Sequence, residues 1–147
     1  MEVVLRKADN SDIDELIEIE RGVAGTKIYV PMLSHDEWLV ALDIGAVYLI
    51  EKDKTIVGNI SYEKKSPGRV RISGLVISRK FQGQHLGRQA LAQVMEELKD
   101  IKRIDLDVHP DNERALKLYQ SFGFTEESRK ENFYGDGEPR LILVLQK

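Results

Sequence analysis

The chain contains no cysteine. That excludes a disulfide, a thiolate nucleophile and any metal site built on sulfur, and it agrees with a cytoplasmic setting. No apolar run approaches the roughly 20 residues that a helix needs to span a bilayer. The opening MEVVLRKADN has neither an apolar core nor a small-residue cleavage site, so no signal peptide is expected. His35, His85 and His109 are scattered without the spacing of zinc ligands, so no metal is expected. An excess of positive charge is missing too: 22 Lys and Arg stand against 25 Asp and Glu, a formal net charge of −3. That balance argues against nucleic acid or an anionic membrane as a partner. A length of 147 residues suits one domain, residues 1–147, with a sizeable core; no repeat, low-complexity tract or linker interrupts it.

One absence is local. From Lys64 to Met95 there is no Asp or Glu, while Lys64, Lys65, Arg69, Arg71, Arg79, Lys80 and Arg88 all fall inside that span. Most charge runs are solvated faces. This one surrounds a glycine-bearing stretch, FQGQHLGRQ from Phe81 to Gln89, and the expectation is a basic collar that attracts a phosphorylated ligand.

VVLRKA reads as a short strand. SDIDELIEIER reads as a helix with Ser11 as N-cap and Ile13, Leu16, Ile17 and Glu20 marking one face. GVAGTKIYVP is a loop, and SHDEWLVAL opens a second helix with a Ser34–Glu37 capping box. AVYLIEKDKTIVGNISYEK is a hairpin that turns at KDK. RVRISGLVI is the next strand, and Gly74 inside it predicts a bulge. Leu86, Ala90, Leu91, Val94, Met95 and Leu98 then share a helical face. KRIDLDV is a strand, and NERALKLYQSF is a helix stopped by Gly123. GFTEESRKENFY and EPRLILVLQ are two strands joined by YGDG. This order predicts an α/β (α+β) fold: a mixed, mostly antiparallel central sheet with helices on both faces. The helical crossovers starting near Gly87 and Asn112 predict parallel neighbours.

QGQHLGR follows a strand and opens a helix. A helix N-terminus offers free N–H groups and partial positive charge, and glycine lets backbone approach an anion closely. By itself this is either a phosphate cradle or an ordinary tight turn; it is neither a P-loop nor a GxGxxG fingerprint. The bulged strand before it adds a second feature. A bulge can splay LVI from its neighbour and leave N–H and C=O groups for an extended, amide-bearing ligand.

LVISRKFQGQHLGRQAL together with NERALKLYQSFGF resembles the GNAT acetyltransferase superfamily, and the element order matches along nearly the whole chain. The resemblance implies the acyl-CoA N-acyltransferase fold with a splayed parallel strand pair, and acetyl-CoA as cosubstrate. It implies that Leu75, Val76 and Ile77 offer backbone to the pantetheine arm. Gln82, Gly83, Gln84, His85, Leu86, Gly87 and Arg88 would cradle the pyrophosphate, and Asn112 would contact the cofactor arm. His85 stands where the family usually has glycine; its imidazole either adds a hydrogen bond to phosphate or points into solvent.

The same resemblance implies direct acetyl transfer to an amine. Tyr119 is the candidate acid for the departing thiolate, and it also lies beside the cofactor. Asp105, Asp107 and His109 share one face of RIDLDVH. Asp107 falls where the N-terminal-amine branch of the family has a catalytic glutamate, so it is either the base or one residue of a solvated face; Asp105 is read as solvated. ENFYGDGEPRLILVL resembles the C-terminal hairpin of ribosomal-protein N-terminal acetyltransferases. The acceptor is open among a peptide α-amine, a lysine and a small amine, and a homodimer is open too. Glu20, Asp36 and Glu37 either attract a cationic substrate or serve as helix charges. The competing reading is a non-catalytic CoA-binding or regulatory module; a nucleotide-binding protein ranks last.

Overall fold

The computed structural model describes residues 2–147. Seven strands form one sheet: β1 (Val4–Lys7), β2 (Gly45–Lys52), β3 (Thr55–Ser66), β4 (Arg69–Ile77), β5 (Arg103–Val108), β6 (Thr125–Lys130) and β7 (Arg140–Gln146). Four helices cover it: α1 (Ile13–Arg21), α2 (His35–Ile44), α3 (Leu86–Glu97) and α4 (Glu113–Ser121). The strand order is β1-β2-β3-β4-β5-β7-β6.

Strand β2 shows how the layers arise. Its side chains alternate in period two. Ala46 and Ile50 enter the core under α3 and α4, while Val47 and Leu49 enter the second core with Ile13, Leu16 and Trp38 from α1 and α2. Both faces are therefore buried, and the strand reads as an almost continuous apolar run. Asp53 and Lys54 take positive φ of 51° and 66° at the β2–β3 turn, the geometry that a two-residue hairpin requires.

Two details differ from the sequence expectations. Ser11 does not cap α1. Asp9 does the capping, for a 3-10 turn that leads into the helix: its carboxylate accepts from Ser11 N–H, and Asp12 accepts from Asp9 N–H. The crossover through α3 joins the parallel pair β4 and β5, as expected. The crossover through α4 does not join neighbours. It carries the chain from β5 to the sheet edge as β6, and β7 returns between them, antiparallel to both. The apolar RLILVL demands that interior place, whereas exposed TEESRK suits an edge.

Candidate functional site

The site begins where a strand pair stops. Strands β4 and β5 run parallel, but only Arg69, Val70 and Arg71 pair with Arg103, Ile104 and Asp105. Past that point β4 bulges: Tyr62 of β3 faces Ile72, while Ser61 faces Gly74, leaving Ser73 extra. The bulge bends β4 away, and the strands part around a cleft of about 610 Å³. N–H and C=O groups of β4 beyond Arg71 lack a strand partner on that side.

Leu75, Val76 and Ile77 line this cleft. The carbonyl of Ile77 already accepts from Gln82 Nε2 at 2.9 Å, so Gln82 folds back on the strand. Gly83, His85, Leu86, Gly87 and Arg88 line the cleft at the start of α3. Gln84 does not: its side-chain oxygen turns away to accept from Lys52 Nζ at 2.9 Å. His85 adopts φ +63°, the left-handed region. Glycine enters that region without steric cost, which is the physical reason for a glycine preference there.

The start of α3 fits an anionic group. Side chains cap α2 and α4, from Ser34 and Asn112, but among the described residues none caps α3. Its first helical hydrogen bond runs from Gln89 N–H to His85 C=O, so the N–H groups of Leu86, Gly87 and Arg88 lie ahead of the ladder. A Cβ placed on Gly87 would stand 3.7 Å from Ile77 Cγ1 and 3.9 Å from Leu75 Cδ2. The missing side chain leaves floor space between α3 and β4 that a ligand can take. The residues present therefore fit an extended ligand with amides along β4 and phosphate at α3.

The basic collar is a different set from the one the sequence suggested. A strand rises about 3.3 Å per residue, so the nine residues of β4 carry the start of the basic span to the far end of the sheet. There Lys65 pairs with Glu63, Arg69 with Asp105, and Arg71 with Asp107. Arg88 stays by the cleft, donating to Ser121 Oγ at 3.0 Å. Arg114 and Lys117 join it from α4. Their i, i+3 spacing was the available signal for one shared face.

At the other end of the cleft stand acids and phenols. Asp107 Oδ1 accepts from Arg71 Nη2 at 2.5 Å, and its Oδ2 accepts from the Tyr134 hydroxyl at 2.7 Å. The Tyr134 ring is exposed, but its hydroxyl lies between Arg71 and Asp107; loss of water there first, then the Asp107 charge, pushes the phenol above its ordinary range. Tyr119 is buried, with its ring edge-on to Phe124 at 5.8 Å. Burial raises its phenol as well, aided by the Asp107 charge. Both phenols are therefore neutral donors. Asn112 lines the cleft, but its side-chain oxygen also caps α4 by accepting from Ala115 N–H at 3.2 Å.

Asp105 is not a solvated residue. It is 3% exposed and accepts from Arg69 Nε at 2.7 Å and Arg103 Nε at 3.1 Å. Burial would raise its carboxyl, but the two guanidinium partners outweigh burial and hold it below the usual range. His109 is buried in the cleft wall. Its Nδ1 accepts from Asp111 N–H, so the proton sits on Nε2 and donates to Glu138 at 2.7 Å. Glu20 lines the cleft, whereas Asp36 and Glu37 lie exposed in the first turn of α2. Arg140, Tyr134 and Tyr29 also reach the cleft. Nothing in sequence spacing brings these three together, because each comes from a different loop or strand end.

Residues 13–124 match the family model described as the acetyltransferase (GNAT) family. The chain belongs to that family. It is 28% identical to the putative [ribosomal protein bS18]-alanine N-acetyltransferase of Bacillus subtilis over 135 residues, covering 90% of this chain and 87% of that one. It is 40% identical over 65 residues to the spermine/spermidine N(1)-acetyltransferase of the same organism; that match covers 42% of this chain and 43% of the relative. The chain thus spans under half the length of the first curated relatives it matches. Among solved structures, a GNAT family acetyltransferase from Elizabethkingia anophelis with acetyl-CoA bound superposes with TM-score 0.74 at 19% identity, over 99% of this chain and 98% of that one.

Proposed function

We propose that this GNAT protein transfers an acetyl group from acetyl-CoA directly to a primary amine. One observation carries the reading: a single cleft joins an uncapped helix start, an unpaired strand edge and a buried phenol. The helix end suits the pyrophosphate and the strand edge suits the amide-bearing arm. Leu75, Val76 and Ile77 are assigned to the arm, and Gly83, His85, Leu86, Gly87 and Arg88 to the pyrophosphate. Gln82 supports that turn from its bond to Ile77, and Asn112 meets the arm from the start of α4. Gln84 is withdrawn from the set because its side chain serves Lys52.

The amine nitrogen attacks the thioester carbonyl, the new N–C bond forms, and the C–S bond breaks with its electron pair on sulfur. Tyr119 supplies a hydrogen bond where that charge appears, a stabilisation made mainly in the transition state. Its raised phenol favours donation of a hydrogen bond over full loss of the proton.

For the acceptor we infer a peptide α-amine. The relative matched over 87% of its length is named a putative [ribosomal protein bS18]-alanine N-acetyltransferase, while the polyamine-named relative matches over less than half. The test is mass spectrometry of products after incubation with acetyl-CoA, a panel of peptides with free N-termini, and a panel of small amines including spermidine. Acetylated peptide is the expected product. Acetylated spermidine alone would move the acceptor to small amines, and no product from either panel would leave a CoA-binding module in place of an enzyme.

A further inference from the structure

Two carboxylates reach the cleft, and they are differently placed. Both Asp107 oxygens already accept hydrogen bonds, from Arg71 and from Tyr134. Glu20, in the last turn of α1, is 7% exposed and lines the same cleft. Among the described residues its carboxylate has the main-chain N–H of Met32 for company and a like charge, Glu37, but no Lys or Arg. Burying a carboxylate without a cation is costly. An ammonium entering the cleft supplies the missing partner.

We propose that Glu20 receives the acceptor's ammonium and takes its proton before attack, while Asp107 positions Arg71 and Tyr134. This rests on the acetyl-transfer reading above. The balance is simple. Glu20 takes one proton from the alkylammonium and leaves a neutral amine. The nitrogen lone pair forms the bond to the acetyl carbon, and sulfur leaves with the C–S pair. Of the two protons on the acylated nitrogen, one stays as the amide N–H and the surplus one goes to the thiolate, while Glu20 returns its own to solvent.

Burial brings the Glu20 carboxyl up to about 7, with the nearby Glu37 charge adding to the rise and the Met32 N–H opposing it. A base poised there is ionised enough to act and basic enough to draw a proton. Around it stand Glu37 on α2 and Tyr29 on the loop; the Tyr29 phenol in turn feels Arg114 and Arg79. Asp107, His109 and Arg140 line the same cleft from the sheet side.

The experiment follows acetyl transfer to a hexapeptide with a free N-terminal alanine and to spermidine, across pH 6 to 9, in wild type, Glu20→Gln, Glu20→Asp and Asp107→Asn. Acetyl-CoA affinity is measured alongside by calorimetry. In wild type, kcat/KM should rise through a limb near pH 7. Glu20→Gln should lose about 10² to 10⁴-fold in kcat/KM, lose that limb, and keep acetyl-CoA affinity within about twofold. Glu20→Asp should retain part of the rate with the limb displaced. Asp107→Asn should keep the limb at a reduced rate. A Glu20→Gln enzyme with the wild-type limb, or loss of the limb in Asp107→Asn alone, overturns the assignment. If wild type acetylates neither probe, the acetyl-transfer reading is what fails. Glu20 is then decided by the ¹³C carboxyl signal of glutamate-labelled protein, which should titrate near pH 7 and move on adding either amine; an unmoved signal sinks the proposal.

Discussion

The Tyr134 hydroxyl donates to Asp107 across 2.7 Å, and Arg71 donates to both members of that pair. This one bond fastens the loop between β6 and β7 to the end of β5, so the cleft wall and the loop form a unit. Asp107→Asn leaves Arg71 half-buried beside a neutral amide, with only the longer 3.4 Å contact to Glu63 as countercharge. A loss of about 3 kcal/mol is expected, the lower end of the range for breaking a buried pair. Tyr134→Phe should cost about 1 kcal/mol and raise the acceptor KM while leaving acetyl-CoA affinity alone. Urea unfolding checks the first figure; an Asp107→Asn loss under about 0.5 kcal/mol would show that the pair holds nothing.

The open floor at Gly87 separates folding from ligand binding. A Cβ there meets only ordinary contacts with Ile77 and Leu75, and glycine is a poorer helix former than valine, so stability should change by under about 1 kcal/mol in either direction. Acetyl-CoA affinity should fall at least tenfold, because the branched side chain takes the ligand's space. Wild type at 100 times its dissociation constant should gain roughly 2.7 kcal/mol of stability from acetyl-CoA. Thermal shift reads both; a Gly87→Val protein with the wild-type ligand shift removes the helix start from the site.

His85 carries a backbone conformation that suits glycine. The left-handed region costs a non-glycine residue about 1 to 2 kcal/mol. Glycine's extra freedom in the unfolded chain returns about 0.5 to 1 of that. His85→Gly should therefore raise stability by up to about 1 kcal/mol. If the imidazole touches phosphate, the same variant weakens acetyl-CoA binding. Stabilisation without a change in affinity assigns the side chain to solvent.

Tyr119→Phe keeps the ring against Phe124 and removes only the hydroxyl. A kcat loss of about 10²-fold, the lower part of the general-acid range, is expected with acetyl-CoA affinity unchanged. Because burial pushes this phenol upward, its ionisation lies above working pH. The variant should lower the pH profile evenly without removing a limb. Wild-type turnover across pH would leave the leaving group to water.

Local signals in the sequence carried most of the architecture. Glycines mark the bulge at Gly74 and the turn ahead of α3, and the stop at Gly123, with φ +97°, is dictated by that residue's backbone freedom. Placement of β7 between β5 and β6 is a tertiary choice, decided by which strand has two faces to bury. Charge was read least well. Arg69 and Arg71 looked like part of a ligand collar, but a strand carries them away to Asp105 and Asp107. Asp105 looked solvated because period two shows which residues share a face, not whether that face is covered. Arg140 and Tyr134 reach the cleft through a loop whose path no spacing rule reports.

Glu20 also leaves a signature in stability, independent of turnover. Its folded carboxyl titrates near 7, against an ordinary value of 4.5. Below about pH 4.5 the group is protonated in both states, and burial carries no ionisation cost. Between those values the unfolded chain releases the proton while the folded chain keeps it, so stability falls as pH rises. Above pH 7 the carboxylate is charged in both states, and the rise from 4.5 to about 7 corresponds to about 3 kcal/mol at most. Glutamine at this position does not titrate. The stability of Glu20→Gln relative to wild type should therefore increase by about 2 to 3 kcal/mol between pH 4.5 and pH 8, whatever the variant's absolute stability. Other groups cancel in this comparison because both proteins share them. Paired urea titrations at the two pH values measure it. A relative stability that stays flat with pH would place the Glu20 carboxyl in solvent, and would remove the burial on which its role as a base depends.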